Sequence, residues 1–194
     1  ARNLEASPPV AAVDLYEEAK ADLKEGRSLI ALGKFKKGLG LATPDSADAW
    51  LMLLGLSLTY DRTEQPQHAL EMYRAFLASI ARNPGEATGK WEKRRHIVEN
   101  EVARLDALLL ETRGALVVRS EPLGARLYLN GLGAGANGDA VTPFTLYAAP
   151  GEVVVKLSLG GYDSAALRVS VNAGERRSLS VPLKKTVVQT QLKV

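Results

Sequence analysis

The sequence predicts an α+β chain of two domains, helices first and strands after. Two observations carry this. Apolar residues recur at helical spacing up to residue 113, and from Gly114 onward they alternate. The alternating runs are Leu116 and Val118; Ala125, Leu127 and Leu129; Val153, Val155, Leu157 and Leu159; Leu167, Val169 and Val171; and Leu179, Val181 and Leu183. Period 2 marks strands with one buried face, whereas spacings of 3 and 4 mark amphipathic helices. Helices in one block and strands in another argue against an interleaved α/β sheet. The expected domains are residues 1–113 and 114–194. That division removes the parallel-sheet architectures that host most nucleotide chemistry.

In the first block, Ser7-Pro8-Pro9 reads as an N-cap followed by proline in the first turn. The predicted first helix runs to residue 32, and Gly33 breaks it. A second helix covers 34–42 and stops before Thr43-Pro44, because the residue preceding proline disfavours helical backbone. Asp45 or Ser46 caps a third, at 47–60. After a loop at 61–65, Pro66 opens a fourth helix to residue 82, which Asn83-Pro84-Gly85 ends. A long fifth helix spans 86–112, and Gly114 terminates it.

In the second block, Asn130-Gly131 is a hairpin signal, since Gly tolerates positive φ. Pro150-Gly151 suits a type II turn. Asn172-Ala173-Gly174 joins two alternating runs. The expected result is a small antiparallel β-sandwich. Residues 187–194 either add an edge strand or stay free.

Composition excludes several function classes. The chain has 194 residues and no cysteine, so disulfides, thiolate catalysis and Cys-based zinc sites are out. No run approaches the roughly 18 apolar residues of a membrane span. Residues 1–10 are polar and proline-containing, like a mature or trimmed N-terminus without a signal peptide. The net charge of +3 is too small to imply nucleic acid. Residues 1–113 carry 16 Lys+Arg against 17 Asp+Glu, leaving 9 against 5 for residues 114–194. Arg176, Arg177, Lys184, Lys185 and Lys193 supply most of the excess. A solvated strand edge accounts for it, and a weak anionic partner such as a surface polysaccharide is the alternative.

Motifs for catalysis or cofactors do not assemble. Gly133-Ala134-Gly135-Ala136-Asn137-Gly138 spells G-x-G-x-x-G, but a dinucleotide site needs a helix after it, and Asp139-Ala140-Val141-Thr142-Pro143 follows. His68 and His96 stand on helices without metal-ligand spacing. No G-x-S-x-G elbow is present. The run at 90–96 mixes cations with Trp91, yet Glu92, Glu99 and Glu101 make it a helix face of ion pairs. No catalytic, cofactor or metal residues are expected, and the chain is not expected to be an enzyme.

The helical hairpins resemble tetratricopeptide repeats over about residues 19–84. Gly26 is followed by Gly33, Phe35 and Gly38 at offsets of 7, 9 and 12. The second hairpin offers Trp50, Leu54 and Gly55, then Ala69, Tyr73 and Phe76, with a turn about two residues longer than the family pattern. The strand block resembles a PEGA domain over about residues 114–183. Its punctuation is Pro122-Leu123-Gly124-Ala125, Asn130-Gly131, Thr142-Pro143, Pro150-Gly151 and Gly160-Gly161-Tyr162, in the family's order. Leu123 stands where the family has Glu, and no Gly lies two places before Thr142.

The repeat resemblance implies a concave groove lined by the first helix of each hairpin. Counting from Gly26 gives Lys20, Leu23, Arg27 and Ile30; counting from Gly55 gives Met52, Leu56, Thr59 and Tyr60. Such a mixed apolar and basic groove suits an amphipathic or acidic protein segment. The fifth helix either leaves this groove open or fills it and buries these residues. The PEGA resemblance implies an exported protein. The combined expectation is a non-catalytic scaffold of the bacterial cell envelope, periplasmic or envelope-associated, binding a protein partner through its helices. Two alternatives stand beside it. One is a carbohydrate- or peptidoglycan-binding protein, using Tyr128, Tyr147 and Tyr162 with Arg126 and Arg168. The other is the extracytoplasmic sensor part of a signalling protein.

Overall fold

The computed structural model describes residues 11–187 and divides the chain into two compact units, one ending at Leu105 and one beginning at Asp106. The last turns of the fifth helix therefore group with the strands, ahead of the expected boundary at 113/114. The helical unit holds α1 (Ala12–Lys24), α2 (Ser28–Leu41), α3 (Ala47–Arg62), α4 (Pro66–Arg82) and most of α5 (Lys90–Thr112). The proposed Ser7 cap lies outside the described residues. At the start of α1, Asp14 accepts a hydrogen bond from the Ala11 N–H at 3.3 Å, which satisfies a free donor of the first turn.

The expected first helix is two helices, because the chain stops at Gly26 and not at Gly33. Gly26 has a φ of 77°. Its N–H bonds to the Leu23 carbonyl at 3.3 Å, and the Arg27 N–H bonds to the Asp22 carbonyl at 2.8 Å. This pair of bonds forms a Schellman stop, a left-handed turn that glycine enters without steric cost. Gly33 lies inside α2, where a Cβ would meet open space, so nothing breaks the helix there. The third and fourth helices keep their expected places, while the fifth begins at Lys90 and not at 86. Ser46 Oγ accepts from the Ala49 N–H at 3.3 Å, and Pro66 stands in the first turn of α4.

Small residues let α2 and α3 approach closely. Met52 occupies the space a Cβ on Gly38 would need, and the Phe35 ring does the same at Gly55. A second knot joins the α2–α3 loop to α4. Buried Trp50 donates its indole N–H to Ser79 Oγ at 2.9 Å, and Ser79 donates to Asp45 at 2.7 Å. Arg82 donates to both oxygens of the same carboxylate at 2.7 and 2.9 Å. The buried Trp91 ring of α5 meets Trp50 edge-on at 5.1 Å.

The second unit contains β1 (Gly114–Glu121), β2 (Arg126–Leu129), β3 (Leu132–Gly133), β4 (Phe144–Ala148), β5 (Gly151–Ser158), β6 (Ala165–Val171) and β7 (Arg176–Pro182). These form two sheets, ordered β4-β1-β7 and β3-β2-β5-β6. Every residue of the alternating runs is buried in one core fed by both sheets, or packs against it. Asn130 and Gly131 adopt φ of 50° and 85°, as a two-residue hairpin turn between β2 and β3 demands. The expected all-antiparallel pairing fails at one place. β1 and β7 run parallel, with Ala115 opposite Arg176 and Glu121 opposite Pro182. β1 opens the unit and β7 closes it, so the chain between them is long enough to return in the same direction. Of the tail at 187–194, residues 188–194 lie outside the described residues.

Candidate functional site

The helical unit carries a cleft of about 230 Å³ between α1, α3 and α5. Tyr16, Lys20 and Leu23 of α1 form one wall; Leu54, Gly55 and Leu58 of α3 form the second; Arg94, Ile97, Val98 and Glu101 of α5 form the third. Phe35 and Tyr73 close the floor. The fifth helix thus forms one wall of this cleft. Leu58 is 47% exposed and Ile97 61% exposed, an arrangement that leaves apolar surface facing water.

The charges around this cleft are unequally neutralised. Lys20 pairs with Glu17 at 3.0 Å, and that hydrogen bond raises its pKa above the usual ammonium value, while the nearby Arg94 charge opposes the rise. Glu101 pairs with Arg104 at 2.8 Å. Burial pushes the Tyr73 hydroxyl up to about 12, with the Glu101 and Asp61 charges adding to it. Arg94 stacks its guanidinium over Trp91 at 5.0 Å, and its Nη1 is buried without a hydrogen-bond partner among the described residues.

Of the eight residues expected to line a groove, Lys20 and Leu23 do so. Met52, Leu56, Thr59 and Tyr60 do not; all four are buried in the helical core. They lie on the side of α3 that carries Met52 against Gly38, whereas Leu54 and Leu58 reach the cleft. Arg27 and Ile30 sit beyond the Gly26 turn, in a shallow depression with Gly26, Ser28 and Leu29. Arg27 is held there by Asp22, to which it donates at 2.8 Å from Nε, and by Glu25. Lys34 reaches the other oxygen of buried Asp22 at 2.8 Å, and the Lys34 and Arg27 hydrogen bonds hold that carboxyl below its usual range.

The misses have two origins. The count on α1 starts from the turn glycine and runs past the helix end to Arg27 and Ile30, and the count from Gly55 follows the stripe of α3 that is buried in the helical core. Gly26 is the turn glycine, and the small buried residue late in α1 is Ala19. Counting from Ala19 places Tyr16, Lys20 and Leu23 on one stripe, which is the stripe that meets the cleft. Arg94 belongs to the run at 90–96 expected as a face of ion pairs, but Trp91 is buried and Arg94 stacks on it without an ion pair among the described residues. Ile97 carries no signal beyond an amphipathic helix.

The strand unit gathers no aromatic platform from the three tyrosines. Tyr147 is buried and donates its hydroxyl to Asp106, which also accepts from Arg176. Tyr162 packs against the core. Tyr128 is half-buried, with Lys156 Nζ 6.0 Å from its ring centre. Arg168 pairs with Glu152 at 3.2 Å. The glycine-rich segment leads into β4 and not into a helix; Gly133 and Gly138 fold against each other so closely that a Cβ on Gly133 would stand 2.3 Å from the Gly138 carbonyl oxygen. His68 is half-buried against Tyr60, and burial lowers its pKa. His96 pairs with Glu99. Among the described residues, no group of three or more His, Asp or Glu is placed to hold a metal, and no helix is long and apolar enough to cross a membrane.

Comparison with curated proteins finds no match. No family match supports a tetratricopeptide-like identity for residues 19–84. Residues 113–187 match the PEGA domain family, and the strand unit from Arg113 onward carries that domain.

Proposed function

We propose that this chain is a non-catalytic interaction protein of the bacterial cell envelope, docking a protein partner in the α1/α3/α5 cleft. The observation that carries the reading is the exposure of Leu58 and Ile97 in a concave, three-walled site. Isolated apolar residues on a surface are ordinary, but a concave apolar group with a few polar side chains marks a binding site. The small-residue contacts at Gly38 and Gly55 support a tetratricopeptide-like reading of the two helical hairpins. The shared core of the two sheets supports a β-sandwich. The PEGA domain supports a place on an exported or surface protein, where the strand unit acts as spacer or wall-facing module.

The test is affinity capture from envelope extract with the full chain and two single variants, Leu58→Asn and Ile97→Asn. A partner held by the cleft is lost with both variants and retained with Arg27→Glu, which lies outside the cleft. Capture of the same proteins by Leu58→Asn and Ile97→Asn overturns the reading.

A further inference from the structure

The size and charge of the α1/α3/α5 cleft narrow what it can hold; this step rests on the docking reading above. At about 230 Å³ it is smaller than the roughly 300–1,000 Å³ typical of cofactor and drug-sized sites. It exceeds the roughly 150 Å³ that accommodates a benzene ring. One large apolar side chain fits between Leu23, Leu54, Leu58 and Ile97.

Of the charged side chains that line the cleft, Arg94 is the one with no ion pair among the described residues. Lys20 is matched by Glu17, and Glu101 shares Arg104 with Asp61. Arg94 has an aromatic face beneath it and a buried Nη1 that no acceptor of the described residues reaches. A buried guanidinium nitrogen without an acceptor is costly, and a carboxylate supplies the charge and the geometry it lacks. We infer that the cleft takes an acidic segment of a protein partner, with one large apolar side chain between α1, α3 and α5 and a neighbouring carboxylate on Arg94.

The probe is a library of random heptapeptides selected on the full chain, followed by a fluorescein-labelled consensus peptide read by anisotropy. The expected consensus pairs a large apolar residue with Asp or Glu. Replacing that acid by its amide weakens binding about 10- to 100-fold, in line with a hydrogen bond to a charged group. Arg94→Gln removes the difference between acid and amide peptides, and Arg94→Lys restores part of it. The acid-to-amide comparison uses the unaltered chain, so it does not depend on a variant folding. Apolar peptides enriched without acid preference, and lost on Leu58→Asn, overturn the carboxylate inference and leave cleft docking standing. Enrichment that ignores both Leu58→Asn and Ile97→Asn overturns both.

Discussion

The Phe35 ring lies across Gly55. A Cβ on Gly55 would stand 2.4 Å from Phe35 Cε1, closer than van der Waals contact allows. Phe35 is itself fully buried, so the ring has nowhere to turn. Gly55→Ala is therefore expected to destabilise the chain by about 1–3 kcal/mol, the usual cost of overpacking. Gly38→Ala meets the flexible Met52 side chain and costs less. Gly33→Ala, in open space on the same helix, stabilises by about 0.5–1 kcal/mol through helix propensity. Urea unfolding of the three variants checks the order.

Acid sensitivity centres on Asp45. Hydrogen bonds from Arg82 and then Ser79 lower its pKa from 3.8 to about 2. A depressed carboxyl pKa contributes stability that is present above the unfolded value and lost as pH falls through the folded value. The window therefore lies between about pH 4 and pH 2. Thermal melts across it fall for the unaltered chain. For Asp45→Asn the pH 7 melt begins lower and the decline from pH 4 to pH 2 is shallower. An equal decline in both removes Asp45 as the source.

The strands were more legible than the helical site, for a physical reason. A strand with one face in the core writes its burial directly as alternation, and the expected inward residues from Leu116 to Leu183 all meet one core. β4 gave no such signal because both of its faces are covered. Leu146 and Ala148 face the core, while Tyr147 on the opposite face is buried and bonded to Asp106. In the helices, spacing located most of the segments but not their phase. Of two glycines seven residues apart, the spacing puts the break at Gly33 and a packing position at Gly26, whereas the φ of 77° puts the turn at Gly26. A phase error of that kind exchanges the buried stripe of a helix for its exposed one. Leu56 and Leu58 illustrate it on α3, one buried and the other in the cleft. The α5 wall depends on tertiary packing that no local pattern in α1–α4 encodes.

Ser79 is a small residue with a large role. Its hydroxyl accepts from the buried Trp50 indole and donates to Asp45. Ser79→Ala leaves the indole N–H buried without that acceptor and is expected to cost about 1–3 kcal/mol. Ser79→Thr keeps the hydroxyl and costs less where the extra methyl fits. Denaturant unfolding at pH 7 measures both, and a neutral Ser79→Ala shows that the hydrogen bond carries no net stability.

Gly114 opens β1 where the β6–β7 turn comes closest. A Cβ there would lie 2.4 Å from Val171 Cγ1 and 2.5 Å from the Asn172 carbonyl oxygen. The valine is itself buried in the strand core, and the carbonyl belongs to a turn already fixed by hydrogen bonds. The Gly174 N–H donates to the Arg113 carbonyl at 3.0 Å, and the Ala115 N–H donates to the Glu175 carbonyl at 2.8 Å. Relieving the clash means moving backbone on one side or the other and weakening those bonds. Gly114→Ala is therefore expected to destabilise the strand unit by about 1–3 kcal/mol. Gly160→Ala, where a Cβ meets open space, serves as the control and changes stability by less than about 0.5 kcal/mol. Hydrogen exchange localises the loss: in Gly114→Ala the amides of Ala115 and Gly174 exchange faster, while those of β5 keep the protection their central place in the second sheet gives them. Unchanged exchange at Ala115 and Gly174 would show that the turn absorbs the extra carbon without cost.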